Sequence, residues 1–237
     1  MSRPGARVRE QAPPRKRARA AVADATPARD HVILLHGIWM RGITLLPLAR
    51  RLRQSGCTVE TIDYASVFRG IEPAVARLRE RMRSYDGGNL HLVGHSLGAL
   101  VALEATRGVR NLPNGRIVCI GPPLRGSSVA RALTAFPGGR LLLGQSADPL
   151  VTGVDPWRGA RGVGVIAGRL PFGLGVTLGP LRGPHDGTVS VEETQLPGIT
   201  DHRTVDASHT GLLFSSEVAD LTIAFLRDGR FVPPPRG

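Results

Sequence analysis

Several residue types are scarce in this 237-residue chain. It has 2 cysteines, too few for a disulfide-stapled scaffold in which bridges replace a hydrophobic core. Neither stands at a Cys–His spacing that would hold zinc, and both read as buried apolar residues. Aromatic residues make up only 4%, which leaves little to stack nucleobases. No run of 18 apolar residues occurs, so no membrane-spanning helix is expected. The apolar stretch of a secretory signal is also missing behind the basic N-terminus, which points to a cytoplasmic protein. Lysine is nearly absent: among 31 basic residues, Lys16 is the one lysine.

What is abundant is positive charge, a formal +12. Half of it sits at one end. Residues 1–29 carry 8 basic and 2 acidic groups, a balance of +6, and the remaining 208 residues carry the other +6. The 1–29 segment has four prolines and almost no large apolar residues, so it cannot offset its ordering entropy and is expected to be disordered. Its Arg15-Lys16-Arg17-Ala18-Arg19 cluster could make weak contact with an anionic surface. No nucleic-acid-binding module is recognisable, so no specific nucleic-acid partner is expected. Residues 231–237 are proline-rich and should be irregular. A single domain is expected over residues 30–230.

Inside that domain, apolar runs alternate with amphipathic helical patterns. Strands are expected at 31–35, 58–62, 90–93, 117–120, 163–167 and 202–205. Helices are expected at 43–53, 71–82, 97–106 and 215–226. Strand alternating with helix predicts an α/β fold: a mostly parallel central sheet of about six strands with helices on both faces. Ligand chemistry in such folds lies at the carboxyl ends of the strands. Residues 122–183 are rich in Gly, Arg and Leu with weak periodicity. Their apolar side chains, Leu133, Phe136, Leu141, Leu142, Leu143, Leu150, Trp157, Leu170, Phe172 and Leu174, could wall an acyl site or belong to the core.

One motif stands at the right place for chemistry. Gly94-His95-Ser96-Leu97-Gly98 follows the third expected strand and opens a helix. A G-x-S-x-G turn in that context exposes the serine hydroxyl at a sharp corner, and the two glycines clear space around it. The Leu97 N–H, at the helix N-terminus, is then a candidate oxyanion donor. The second donor should come from the loop after the first strand, where His36-Gly37-Ile38-Trp39 stands. Ile38 is the expected donor, Trp39 the alternative one position on, and His36 is expected to brace the loop. A serine needs a general base. Of the seven histidines, His209 alone lies late in the chain just past a strand end, whereas His95, inside the turn, is expected to point elsewhere. The carboxylate that orients the base should lie between the two. Asp186, in an Asp-Gly turn, is the leading candidate, with Asp148 and Asp155 as alternatives.

These pieces resemble the α/β-hydrolase superfamily, especially compact bacterial lipase- and esterase-like members. The resemblance rests on residues 32–37, on Val93-Gly94-His95-Ser96-Leu97-Gly98, on Asp186-Gly187-Thr188-Val189 and on Ser208-His209. Pro122-Pro123-Leu124-Arg125-Gly126-Ser127 is similar to the turn that follows the next strand in that group. No leading hairpin strands are visible, so the sheet should be a reduced form, with no long separate lid domain. The resemblance implies cleavage of carboxylic esters through an acyl-enzyme, with Ser96 as nucleophile, His209 as base, Asp186 as its orienter, and no cofactor or metal. The substrate would be a small-molecule or lipid ester. A thioesterase or acyltransferase would use the same triad. A protein of another class, binding anionic surfaces through its basic tail, would lose affinity steeply with salt and on deletion of residues 1–29.

Overall fold

The computed structural model of the chain describes residues 29–173 and 181–231. The expected N-terminal tail, apart from Arg29, lies outside the described residues, as do Leu174 and residues 232–237. Six strands form one sheet: β1 (His31–Leu35), β2 (Thr58–Ile62), β3 (Leu90–His95), β4 (Ile117–Ile120), β5 (Val163–Gly168) and β6 (Asp201–Val205). Their spatial order is β2-β1-β3-β4-β5-β6, and every pairing is parallel. The expected α/β architecture is therefore present, in its reduced six-strand form. The apolar run of β1 shows why. Val32 and Leu34 point to one face while Ile33 and Leu35 point to the other, and all four are fully buried. Only a sheet covered on both sides buries such a run.

Helices α1 (Leu46–Gln54) and α7 (Ser216–Asp228) cover one face, and α2 (Glu72–Arg83) and α3 (Leu97–Thr106) the other. Each begins with local chemistry that favours it. Pro47 and Pro73 stand in the first turns of α1 and α2, where a missing N–H costs nothing. The Ser215 hydroxyl accepts the Val218 N–H at the start of α7, and Gly229, at φ +77°, closes it. A short 3₁₀ turn, Gly42–Leu45, precedes α1. In α3 every residue except Glu104 is buried. Its small residues let it lie close against the sheet directly behind Ser96.

Among its described residues, the 122–183 segment contains three short helices, α4 (Ser128–Ala135), α5 (Gly139–Leu143) and α6 (Ala147–Thr152). They form a small cap whose side chains line the cavity beside Ser96. Short helices explain the weak periodicity, since two turns carry too few positions to show an apolar stripe. Of the two cysteines, Cys119 is buried as expected, its thiol pushed up to about 12 by burial, but Cys57 is only half-buried; both are free thiols.

Candidate active site

The corner after β3 is where the backbone departs furthest from ordinary geometry. Ser96 adopts φ 53° and ψ −120°, a conformation that an L-residue adopts only at a cost of about 1–3 kcal/mol. The flanking glycines explain how the corner fits. A Cβ at Gly98 would overlap the Leu35 carbonyl oxygen, and one at Gly94 would overlap the Ala99 nitrogen and the Gly98 carbonyl. The turn is anchored by the Ser96 N–H, which donates to the Ile120 carbonyl at 2.8 Å on β4.

Asp186 and His209 meet. The His209 Nδ1 lies 2.7 Å from Asp186 Oδ2, and the His209 backbone N–H donates to the Asp186 carbonyl at 2.8 Å. The other carboxylate oxygen accepts the N–H groups of Thr188 and Val189, at 2.9 and 2.7 Å. Asp186 is 1% exposed. Burial works against its charge, but neighbouring His209, the hydrogen bond to it and the two amides outweigh that and hold the carboxyl below the usual carboxylate range. Because the Asp186 carboxylate can only accept, Nδ1 of His209 carries a hydrogen, so in the neutral imidazole the lone pair is on Nε2. The alternatives are elsewhere: Asp148 is exposed and paired with Arg140 at 2.7 Å, and Asp155 is exposed near Arg107. Asp206 is exposed as well and pairs with Arg169.

Ser96 and His209 border one cavity of about 360 Å³ without a hydrogen bond between their side chains. Such contacts are often loose in unliganded enzymes. The cavity walls are apolar. Val129, Ala130 and Leu133 come from α4, Leu143 from α5 and Leu150 from α6. Met40 and Phe172 also line it, so Leu133, Leu143, Leu150 and Phe172 serve the site. Trp157 belongs to the core, and Phe136, Leu141, Leu142 and Leu170 face solvent.

The loop after β1 brings Gly37 and Ile38 to the same cavity. A side chain at Gly37 would press within 3.2 Å of Ser96 Cβ. Among the described residues, neither the Ile38 nor the Leu97 N–H is engaged by another group. His36 does brace the loop: its Nδ1 donates to the Gly37 carbonyl at 2.8 Å and its Nε2 accepts the Tyr64 N–H at 3.3 Å. Trp39, at φ 58°, swings its indole to the cap and donates to the Leu142 carbonyl at 2.8 Å. Among the described residues no group of three or more His, Cys, Asp or Glu side chains is arranged to hold a metal ion.

Two participants were not read from the sequence. His95 does not point away from the site; it borders the cavity and its Nε2 lies 3.1 Å from the His209 carbonyl. Its adjacency to Ser96 is the sequence signal that marks it. Glu193 is buried and accepts the N–H groups of Ser128 and Ser190, joining the start of α4 to the Asp186 turn. Nothing in its local sequence distinguishes it from a surface glutamate.

A family model described as alpha/beta hydrolase family matches residues 32–213. The chain belongs to the alpha/beta-hydrolase family. No protein of curated function matches it in sequence. Solved structures of the same fold include the Bacillus licheniformis lipase BlEst2. In its propeptide form the TM-score is 0.69 at 19% identity, covering 89% of this chain and 53% of that one. In its mature form the TM-score is 0.65 at 19% identity, covering 84% and 91%. The type II thioesterase BorB from the borrelidin biosynthetic cluster aligns with TM-score 0.55 at 18% identity, covering 86% and 94%. At these identities the likeness concerns the fold. No helix among the described residues of this alpha/beta hydrolase is long and apolar enough to cross a membrane.

Proposed function

We propose that this alpha/beta hydrolase cleaves carboxylic esters through an acyl-enzyme. The observation that carries the reading is a strained serine corner sharing one apolar cavity with a carboxylate-oriented histidine. In the forward step, the Ser96 Oγ attacks the ester carbonyl carbon while Nε2 of His209 takes its proton. Asp186 stabilises the imidazolium that forms and does not itself take the proton. The oxygen of the tetrahedral intermediate is held by the Ile38 and Leu97 N–H groups, each worth on the order of 3 kcal/mol. Collapse expels the alcohol, which leaves with the proton from His209. Water then repeats the sequence on the acyl-enzyme and releases the acid. The apolar wall built by α4–α6 favours an uncharged acyl chain. The same steps would serve a thioester, or an alcohol acceptor in place of water. Residues 1–29, with half the excess charge, would add at most a salt-sensitive contact with an anionic surface.

The test is labelling by a fluorophosphonate probe, followed by turnover of p-nitrophenyl esters of increasing chain length. Ser96→Ala should lose labelling and at least about 10³-fold in kcat/KM. Equal turnover by wild type and variant would overturn the reading. Parallel thioester substrates and an added alcohol acceptor rank the three related reactions.

A further inference from the structure

His209 is held at three points. Its ring is fixed through Nδ1 to Asp186, and its backbone N–H is fixed to the Asp186 carbonyl. The third hold comes from His95, the residue immediately before the nucleophile, at 3.1 Å from Nε2 to the His209 carbonyl. That carbonyl can only accept, so His95 Nε2 must carry the hydrogen. The ring is 1% exposed, and burial, followed by the neighbouring His209, pushes its pKa down to about 3. It is therefore neutral, with one N–H and one lone pair. The lone pair, on Nδ1, meets no donor among the described residues. It faces Gly37, where an added Cβ would lie 3.1 Å away. The His95 and His209 rings are 4.8 Å apart.

This ring thus touches three pieces that converge on the cavity: the serine corner, the histidine loop and the Gly37 loop. The first two belong to strands separated by β4 and β5 in the sheet. A buried imidazole with an unmet lone pair is a poor core residue, and an aliphatic side chain would fill the space without that penalty. What it supplies is its one directed N–H. Resting on the triad reading above, we propose that His95 is a positioning residue. It ties the backbone of the base to the residue beside the nucleophile and so sets where the His209 imidazole lies relative to Ser96. The strap is rigid because His95 keeps a single tautomer through the working pH range. Displacement of a reacting group by about 1 Å costs on the order of 10²-fold in rate.

The experiment compares His95→Gln, which keeps an amide donor near the Nε2 position, with His95→Leu, which keeps bulk and removes the donor. Melting temperature is recorded for both. His95→Leu should lose about 10–10²-fold in kcat with KM within about threefold, because chemistry and not binding is disturbed. His95→Gln should recover most of that loss. A wild-type kcat in the Leu variant, or equal losses in both variants at unchanged melting temperature, would overturn the proposal. ¹⁵N-imidazole NMR of the wild-type protein gives a test independent of activity and of whether the variants fold. His95 should appear as the Nε2–H tautomer from pH 8 to pH 4, and an Nδ1–H tautomer would equally overturn it. A wild-type chain that never labels with fluorophosphonate, yet shows this tautomer, would count against the triad reading and leave the strap standing.

Discussion

At the residue scale, the site concentrates cost where chemistry is proposed. Ser96 holds a backbone conformation suited to glycine, and its side chain alone justifies that expense. Ser96→Gly should therefore be more stable than Ser96→Ala by about 1 kcal/mol, with both inactive; paired urea melts measure the difference. Asp186 fixes the tautomer of the proposed base. Asp186→Asn should lower kcat by roughly 10³–10⁴-fold, whereas Asp148→Asn should change it less than about twofold, in steady-state ester assays. Ser96 stands out in the sequence because the turn needs glycines at two fixed offsets, and His209 because few histidines follow a strand end. The sequence puts Asp186 first but keeps Asp148 and Asp155 as alternatives. An Asp-Gly pair is also an ordinary turn, and only the folded loop shows two backbone amides gathered on one carboxylate.

At the scale of elements, legibility followed the length of the periodic signal. The expectations for β1, β2, β4 and α3 coincide with the observed bounds, and those for β3, β5, β6, α2 and α7 differ by one or two residues at their ends. Strands buried on both faces give unbroken apolar runs, and α3, apolar on nearly every position, could hardly be missed. Helices α4, α5 and α6 span 8, 5 and 6 residues and could not be seen. Their placement depends on tertiary contacts such as the Trp39 indole on Leu142 and the Glu193 carboxylate on Ser128. Glu193 couples the cap to the turn that carries Asp186. Glu193→Ala removes two charge-assisted bonds from a buried position and should cost about 2–3 kcal/mol in urea unfolding. On the proposed reading it should also raise KM for long-chain esters, read from the same chain-length series, because α4 forms part of the cavity wall.

For the molecule as a whole, the buried and half-buried histidines set its tolerance of acid. His36, His91, His95 and His202 all have pKa values lowered chiefly by burial. Below the ordinary value of 6.5 the unfolded chain takes up protons that the folded chain refuses, so stability falls as pH drops through that point. The slope is about 1.4 kcal/mol per pH unit for each histidine that differs fully between the two states. For His95 the window extends down to about 3. Asp186 acts in the same direction lower on the scale, because its stabilising charge is lost as pH falls through its depressed value. Urea midpoints should drop clearly between pH 7 and pH 5, and a flat profile would contradict this burial pattern. The strand order carries a different consequence, one for synthesis. Apart from β3, which returns to the free edge of β1, each strand pairs with its predecessor in the chain. His209 emerges from a ribosome 114 residues after His95, about 6–23 s later at ordinary translation rates. Until β6 pairs, a nascent chain carries the serine corner without His209 beside it, so on the proposed triad it should be unreactive toward esters.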